Sequence, residues 1–229
     1  MTSAIIVAAG QSTRMGTGVD KLFFNVAGRP LVAHTWERFD SSRHIDEIVL
    51  VIRDGMQDAF SELAAKFHLA KPNQLVVGGK ERQDSVWSGL QAVASDTEIV
   101  VIQDAARPCT SEALIAESIQ AARETGAAVA AQRVTDTIKE SDDGTLIRKT
   151  IDRTRLWAVQ TPQTFRVEVI RRALAATREK GLLITDDTAA CELIGQPVRI
   201  VESRSPNPKA TSRSDLPFIE LLLRGTTPA

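Results

Sequence analysis

The chain has 229 residues, 43% of them hydrophobic, a length that suits one domain spanning 1–229 with an ample core. With 28 Lys and Arg against 29 Asp and Glu it carries a formal net charge of -1, which excludes a broad basic surface for nucleic acid or anionic membrane. Two cysteines, Cys109 and Cys191, are too few for a disulfide framework, and no apolar stretch reaches the ~18 residues of a membrane span, so a reducing, cytoplasmic setting is expected.

In chain order, residues 4–7 form an apolar β-branched run, and 30–39 have helical spacing. Residues 48–52 read as a strand, 58–70 as a helix, 75–77 as a strand, 84–94 as a helix and 99–102 as a strand. The runs at 4–7, 48–52 and 99–102 are continuous rather than alternating, as strands covered on both faces require. Between 111 and 125, Ile115, Ile119 and Ala122 share a helical face, Thr110 or Ser111 can cap the start, and Gly126 supplies the stop. Residues 127–131 suit a strand of small residues. Residues 134–153 hold few large apolar side chains around Asp143-Gly144, which predicts a tight β-hairpin projecting from the body as an arm. A helix over 168–180, a strand over 198–201 and a helix over 214–223 follow. Strand and helix alternate, so the expected architecture is α/β: a doubly wound, mostly parallel, Rossmann-like sheet.

Ligands of such sheets bind beyond the carboxyl ends of the strands. The first such loop, residues 8–21, is rich in small residues that let backbone N–H groups approach phosphate, and Arg14 and Lys21 add positive charge. It has neither Walker spacing nor Gly-x-Gly-x-x-Gly, so a P-loop or dinucleotide site loses its main support. A surface loop with two solvated cations is the plain alternative. The second loop, Gly78-Gly79 to Ser85, allows close backbone approach and offers a hydroxyl to a ligand edge, or is a tight turn capped by Asp84 or Ser85. In the third, Asp104-Ala105-Ala106-Arg107-Pro108, a carboxylate at a strand end beside a phosphate loop suits Mg²⁺; an internal Asp104–Arg107 pair suits it too.

Taken together, Ala8-Ala9-Gly10 with Arg14-Met15-Gly16 and Lys21, then Gly78-Gly79 with Glu81-Arg82 and Asp84-Ser85-Val86, then Asp104 to Pro108, resemble the 2-C-methyl-D-erythritol 4-phosphate cytidylyltransferase family. The resemblance continues in order through Asp136-Thr137-Ile138-Lys139, Asp152-Arg153, Leu156-Trp157, Thr161-Pro162-Gln163, Thr185-Asp186 and Asn207-Pro208-Lys209. It implies a nucleotidyltransferase fold and transfer of a cytidylyl group from CTP to a phosphorylated polyol, with Mg²⁺ assisting and pyrophosphate leaving.

By the same resemblance Arg14 and Lys21 stabilise the five-coordinate transition state, while Arg153 and Lys209 align the attacking oxygen. Val7, Ala8, Ala9, Gly10, Gly79, Lys80, Ser85 and Ala105 match nucleotide-holding positions. Asp104 matches the metal ligand. Arg107, Thr137, Arg153, Thr161, Thr185 and Lys209 match groups around the polyol phosphate. The hairpin matching Thr137 to Arg153 implies an arm that clasps a second subunit, hence a homodimer. Ribitol 5-phosphate is the alternative acceptor, and a non-catalytic nucleotide-binding module the alternative class; a fusion to the pathway's cyclodiphosphate synthase is not expected at this length.

The chain departs from the family at Asp20-Lys21-Leu22, where Pro-Lys-Gln is frequent, and at Ser12, where glycine is frequent. Asp20 is expected to point to solvent. His34, His44 and His68 lack partners at ligand spacing and are expected to be structural or exposed, and Cys109 a small packed thiol.

Overall fold

The apolar runs become the middle of one mixed sheet. The structure, a computed structural model, describes residues 1–10 and 20–225; Ser12 and Arg14 lie outside the described residues. Numbered along the chain, the described main-sheet strands lie in the order β11 (Arg199–Glu202), β7 (Ala127–Arg133), β10 (Trp157–Arg166), β6 (Ile99–Asp104), β1 (Thr2–Val7), β4 (Glu47–Ile52) and β5 (Asn73–Val77). β1 lies parallel between β4 and β6, with Ile5 level with Val49 and Ile102.

These central strands are buried because both faces are covered. Ile6, Ile48, Leu50 and Val101 pack in one core layer with residues of α1 (Leu31–Asp40), α2 (Gln57–Lys66), α4 (Glu112–Thr125) and α7 (Leu216–Gly225). Ile5, Val49, Val51 and Ile102 pack in the other with α3 (Arg82–Ala92), α5 (Val167–Glu179) and α6 (Asp187–Leu193). Helix α4 starts and stops as its sequence predicts. The Ser111 side chain accepts from the Leu114 N–H, and Gly126 at φ 88° closes the helix in a left-handed conformation that disfavours a side chain.

Four expectations need correction. The longest strand, β10, runs antiparallel to both β6 and β7, in a segment the sequence pattern leaves unassigned. Proline argues against a central strand, yet Pro162 falls where the pairing with β7 shifts register between Val159 and Gln163. Helix α6 lies outside the segments with helical spacing; Thr185 offers a helix cap before Asp186, but the cap is Asp186 itself, accepting from the Ala189 N–H. Helix α2 ends at Lys66 rather than at 70, and His68 at φ 53° turns the chain toward β5. The arm does pair, β8 (Ile138–Glu140) against β9 (Lys149–Ile151), but through an open loop instead of a tight turn. Asp143 draws that loop together by accepting from the Thr145 and Leu146 N–H groups, so its side chain replaces the turn's own hydrogen bonds.

Candidate active site

The carboxyl ends of β1, β4, β5 and β6 extend their ladders by single bonds: Ala8 N–H to Val51 O, Gly78 N–H to Ile52 O and Ala105 N–H to Val7 O. This brings the first and third loops side by side, with the second across from them. Gly79 N–H donates to Ser85 Oγ at 3.2 Å, folding the second loop onto the first turn of α3. That helix is capped by Glu81 in a reciprocal box with Asp84, so neither Asp84 nor Ser85 is the cap. A Cβ on Gly79 would stand 2.3 Å from Asp84 Cβ, and one on Gly78 would stand 2.5 Å from Ala9 Cβ, so both positions exclude a side chain.

Asp104, the last residue of β6, is the electrostatic centre. Lys209 Nζ lies 2.7 Å from its Oδ2, Arg107 Nε 3.7 Å from the same oxygen, and Arg82 Nε 3.4 Å from Oδ1. Burial pushes this carboxyl upward, but Arg82, Lys209 and Arg107 outweigh it and hold it down at about 2, so it is ionised at neutral pH. Its backbone N–H donates to Thr161 Oγ1 at 3.0 Å, and Thr161 sits in the register shift of β10. The Asp104–Arg107 pair is therefore present, alongside two further cations.

Two of those cations are themselves tied down. Arg82 Nη1 is 2.8 Å from Asp187 Oδ2, and the Asp187 side chain is fully buried at 0% exposure. Burial disfavours the Arg82 charge, but Asp187 and Asp104 prevail and its pKa is raised. The Asp187 carboxyl is raised by its burial, against the pull of Arg82. Arg107 Nη1 donates to Asn207 O at 2.7 Å, and its pKa is lowered by burial, with Asp104 opposing. Asn207 is buried and clips the segment before Lys209 to the sheet, donating from Nδ2 to Thr161 O at 2.8 Å and accepting from Thr110.

Two pockets meet at this centre. The first is lined by Val7, Ala8 and Gly10, by Gly79, Lys80 and Ser85, and by Lys21. The second is lined by Arg107, Thr161 and Thr185 with Gln163 and Asp186. Arg82, Asp104 and Lys209 line both. Of the expected nucleotide residues, Ala9 and Ala105 are outside the lining; Ala105 is buried behind it. Thr137 and Arg153 line neither pocket: both are exposed at the base of the arm, where Arg153 donates to Thr135 O. The sequence reading missed Arg82, Gln163, Asp187 and Asn207. Three of them stood within recognised motifs, but only their long-range contacts reveal the part they take.

Asp20 does not point to solvent. Its side chain is 7% exposed, pairs with Arg53 and accepts from the Leu22 N–H at the start of a 3-10 turn, Lys21–Phe23. Lys21 Nζ donates to Ala210 O at 3.1 Å. Cys109 and Cys191 are pushed up by burial to about 11 and about 12, which makes both inert thiols. His34 is half-buried with Nε2 2.7 Å from Val26 O, a packing role.

A backbone cradle at strand ends, opening onto a second polar pocket across one shared carboxylate, is the layout of an enzyme that joins a nucleotide to another anionic molecule. That class is the nucleotidyltransferases. Residues 2–225 match the model of the family IspD, 2-C-methyl-D-erythritol 4-phosphate cytidylyltransferase, and the chain belongs to it. It is 44% identical over 220 residues to the 2-C-methyl-D-erythritol 4-phosphate cytidylyltransferase of Geobacillus kaustophilus (strain HTA426), covering 96% of each chain. A bifunctional IspD/IspF enzyme of Desulforudis audaxviator is 42% identical over 225 residues, 98% of this chain and 57% of that one. The crystal structure of 4-diphosphocytidyl-2C-methyl-D-erythritol synthase from Anaerococcus prevotii DSM 20548 matches with a TM-score of 0.85 at 30% identity, over 97% of this chain and 98% of that one.

Proposed function

We propose that this protein transfers the cytidylyl group of CTP to 2-C-methyl-D-erythritol 4-phosphate, releasing pyrophosphate and forming 4-diphosphocytidyl-2-C-methyl-D-erythritol for isoprenoid biosynthesis. The observation that carries the reading is the pair of pockets sharing Arg82, Asp104 and Lys209. The nucleotide occupies the first, with the base toward Gly79 and Ser85, and the polyol phosphate the second. Cytosine offers an amine donor beside acceptors, which a backbone carbonyl and a hydroxyl can read without charge.

The attacking group is a phosphate oxygen, already anionic, so no protein nucleophile is required. Lys209, on the shared wall, holds that phosphate toward the nucleotide, and Lys21 stabilises the charge that builds on the transferring phosphorus; Arg14 is assigned the same task. Catalysis of this kind is positioning and charge stabilisation, and a single well-placed cation is worth roughly 10³ to 10⁵ in rate.

Asp104 is the residue that would hold Mg²⁺. It is ionised and lines both pockets, and the described residues contain no cluster of three metal-ligating side chains, so it suits an ion that takes its remaining ligands from phosphates and water. Such an ion supplies neutralisation of the triphosphate charge.

The arm carries Thr137 and Arg153 away from the pockets of its own chain and exposes Leu146 at 75% and Ile147 at 66%. Both features support a homodimer in which each arm reaches the partner's polyol site. Light scattering combined with kinetics tests this: full activity in a monomer at assay concentration would remove the dimer reading. The protein is read as cytoplasmic; among the described residues no helix is long and apolar enough to cross a membrane.

The family and its Geobacillus kaustophilus member are named for 2-C-methyl-D-erythritol 4-phosphate, which favours that acceptor over ribitol 5-phosphate. Pyrophosphate release with CTP and Mg²⁺, comparing the two acceptors and replacing CTP by UTP or ATP, decides the substrate. No release with either acceptor would sink the enzyme reading. Gly79→Ala, whose Cβ collides with the α3 cap, is expected to raise the KM for CTP about tenfold with kcat nearly unchanged, since it disturbs binding common to ground and transition states.

A further inference from the structure

We infer that Asp20 and Arg53 form a clamp that positions Lys21, so that both are positioning residues for the reaction. The inference rests on the reading of Lys21 as the group that acts on the transferring phosphorus.

The two Asp20 oxygens have separate partners. Oδ1 accepts the Leu22 N–H at 3.1 Å and closes the 3-10 turn that begins with Lys21. Oδ2 lies 2.5 Å from Arg53 Nη2. Arg53 is the first residue past β4, which pairs with β1 from Glu47 to Val51 and with β5 from Ile48 to Ile52. The pair therefore bolts the Lys21 turn to the rigid middle of the sheet. On its far side the lysine is held by Ala210 O, and Ala210 N–H donates in turn to Ala106 O at 2.9 Å, beside Asp104. Lys21 is thus strung between the end of β4 and the end of β6, with its side chain in the wall of the first pocket.

A lysine has a flexible four-carbon stem, so where its ammonium stands depends on how firmly its backbone is held. Misplacing a reacting group by about 1 Å costs on the order of 100-fold in rate. The clamp also settles the charge beside the lysine. An unpaired carboxylate at position 20 would compete for the ammonium of its neighbour Lys21, since opposite charges on adjacent residues attract. With Arg53 bound to it, the neighbour is half of a neutral pair. Arg53 is 34% exposed but Asp20 only 7%, so Arg53→Gln also lowers global stability, and urea unfolding measured beside the kinetics separates that loss from the loss of turnover in the folded protein.

The test compares Asp20→Asn, Arg53→Gln, the double variant and Arg53→Lys with the unaltered enzyme. Asparagine keeps an acceptor for the Leu22 N–H and so the local turn, while it removes the charge and turns an amide donor toward Arg53, which breaks the pair. Each single variant is expected to lower kcat about tenfold, with both KM values within about threefold, and the double variant to be no slower than the slower single. Arg53→Lys, which restores the charge, is expected to recover most of the loss. Single variants within about twofold of the unaltered kcat, or losses that multiply in the double variant, would overturn the clamp.

A second readout needs no substrate. The rate of Lys21 acylation in the ligand-free protein, followed by peptide mass spectrometry, is expected to rise in Asp20→Asn while other lysines keep theirs. An unchanged Lys21 rate counts against the clamp. If the unaltered enzyme releases no pyrophosphate at all, the functional reading falls, and the acylation comparison still decides whether the clamp holds Lys21.

Discussion

Replacing Asp104 with Asn is expected to cut pyrophosphate release by ~10³-fold or more while CTP still binds. Asp104 is one anion among three cations, with Lys209 at 2.7 Å, Arg82 at 3.4 Å and Arg107 at 3.7 Å. Removing its charge leaves the pocket more positive, so attraction for a triphosphate is not weakened. What is lost is the common reference that sets the directions of Lys209 and Arg82, together with the carboxylate that would anchor the metal. Steady-state kinetics beside an equilibrium titration with CTP separates the two, and a parallel loss of affinity and turnover would contradict the assignment. The same variant has a pH signature. The Asp104 carboxyl is held at about 2, below its ordinary value, so its contribution to stability is present above about pH 4 and disappears as the pH falls through about 2. The effect is on the order of 2 kcal/mol. Urea unfolding between these pH values should therefore show a shallower slope for Asp104→Asn than for the unaltered protein.

Asp187→Ala is expected to be the most destabilising of the substitutions considered, by about 3 to 5 kcal/mol, because it removes the fully buried half of an ion pair and leaves Arg82 with Asp104 alone. The Asp187 side chain has 0% exposure and its Oδ2 sits 2.8 Å from Arg82 Nη1. For a chain of this size such a loss corresponds to a fall in Tm of roughly 6 to 20 °C. Asp187→Asn retains the shape and an oxygen for Arg82, so it should cost clearly less; equal losses in the two variants would show that charge pairing is not the cause. Asp187 titrates in the opposite sense to Asp104. Its carboxyl is raised by burial, so its contribution weakens as pH rises through the folded value, above the window in which Asp104 acts. Thermal unfolding across pH therefore distinguishes the two carboxylates.

Central strands β1, β4 and β6 were readable because each is an unbroken apolar run, and a strand covered on both faces has no polar side to alternate with. Strand β10 was hidden. Its Gln, Thr and Pro residues carry no strand pattern, and Pro162 is tolerated only because the pairing with β7 slips at that point. The chemistry shows the same division. Lys21, Asp104 and Lys209 were nameable from residue type and motif order, and they do line one pocket. Asp20 was misread because its partner Arg53 is 33 residues away. Arg82 was passed over because Asp187, which makes its charge tolerable, lies 105 residues further on.

The sequence by itself determined the local matters: the central strands as unbroken apolar runs, where α4 is capped, and which loops carry cations, glycines and a carboxylate at strand ends. These depend on neighbours within a few residues, whose preferences are written into the chain directly. Only the tertiary structure decided which charges meet. The ionised state of Asp104, the burial of Asp187 and the inward turn of Asp20 all follow from contacts between distant segments, and an electrostatic environment is set by proximity in space rather than along the chain.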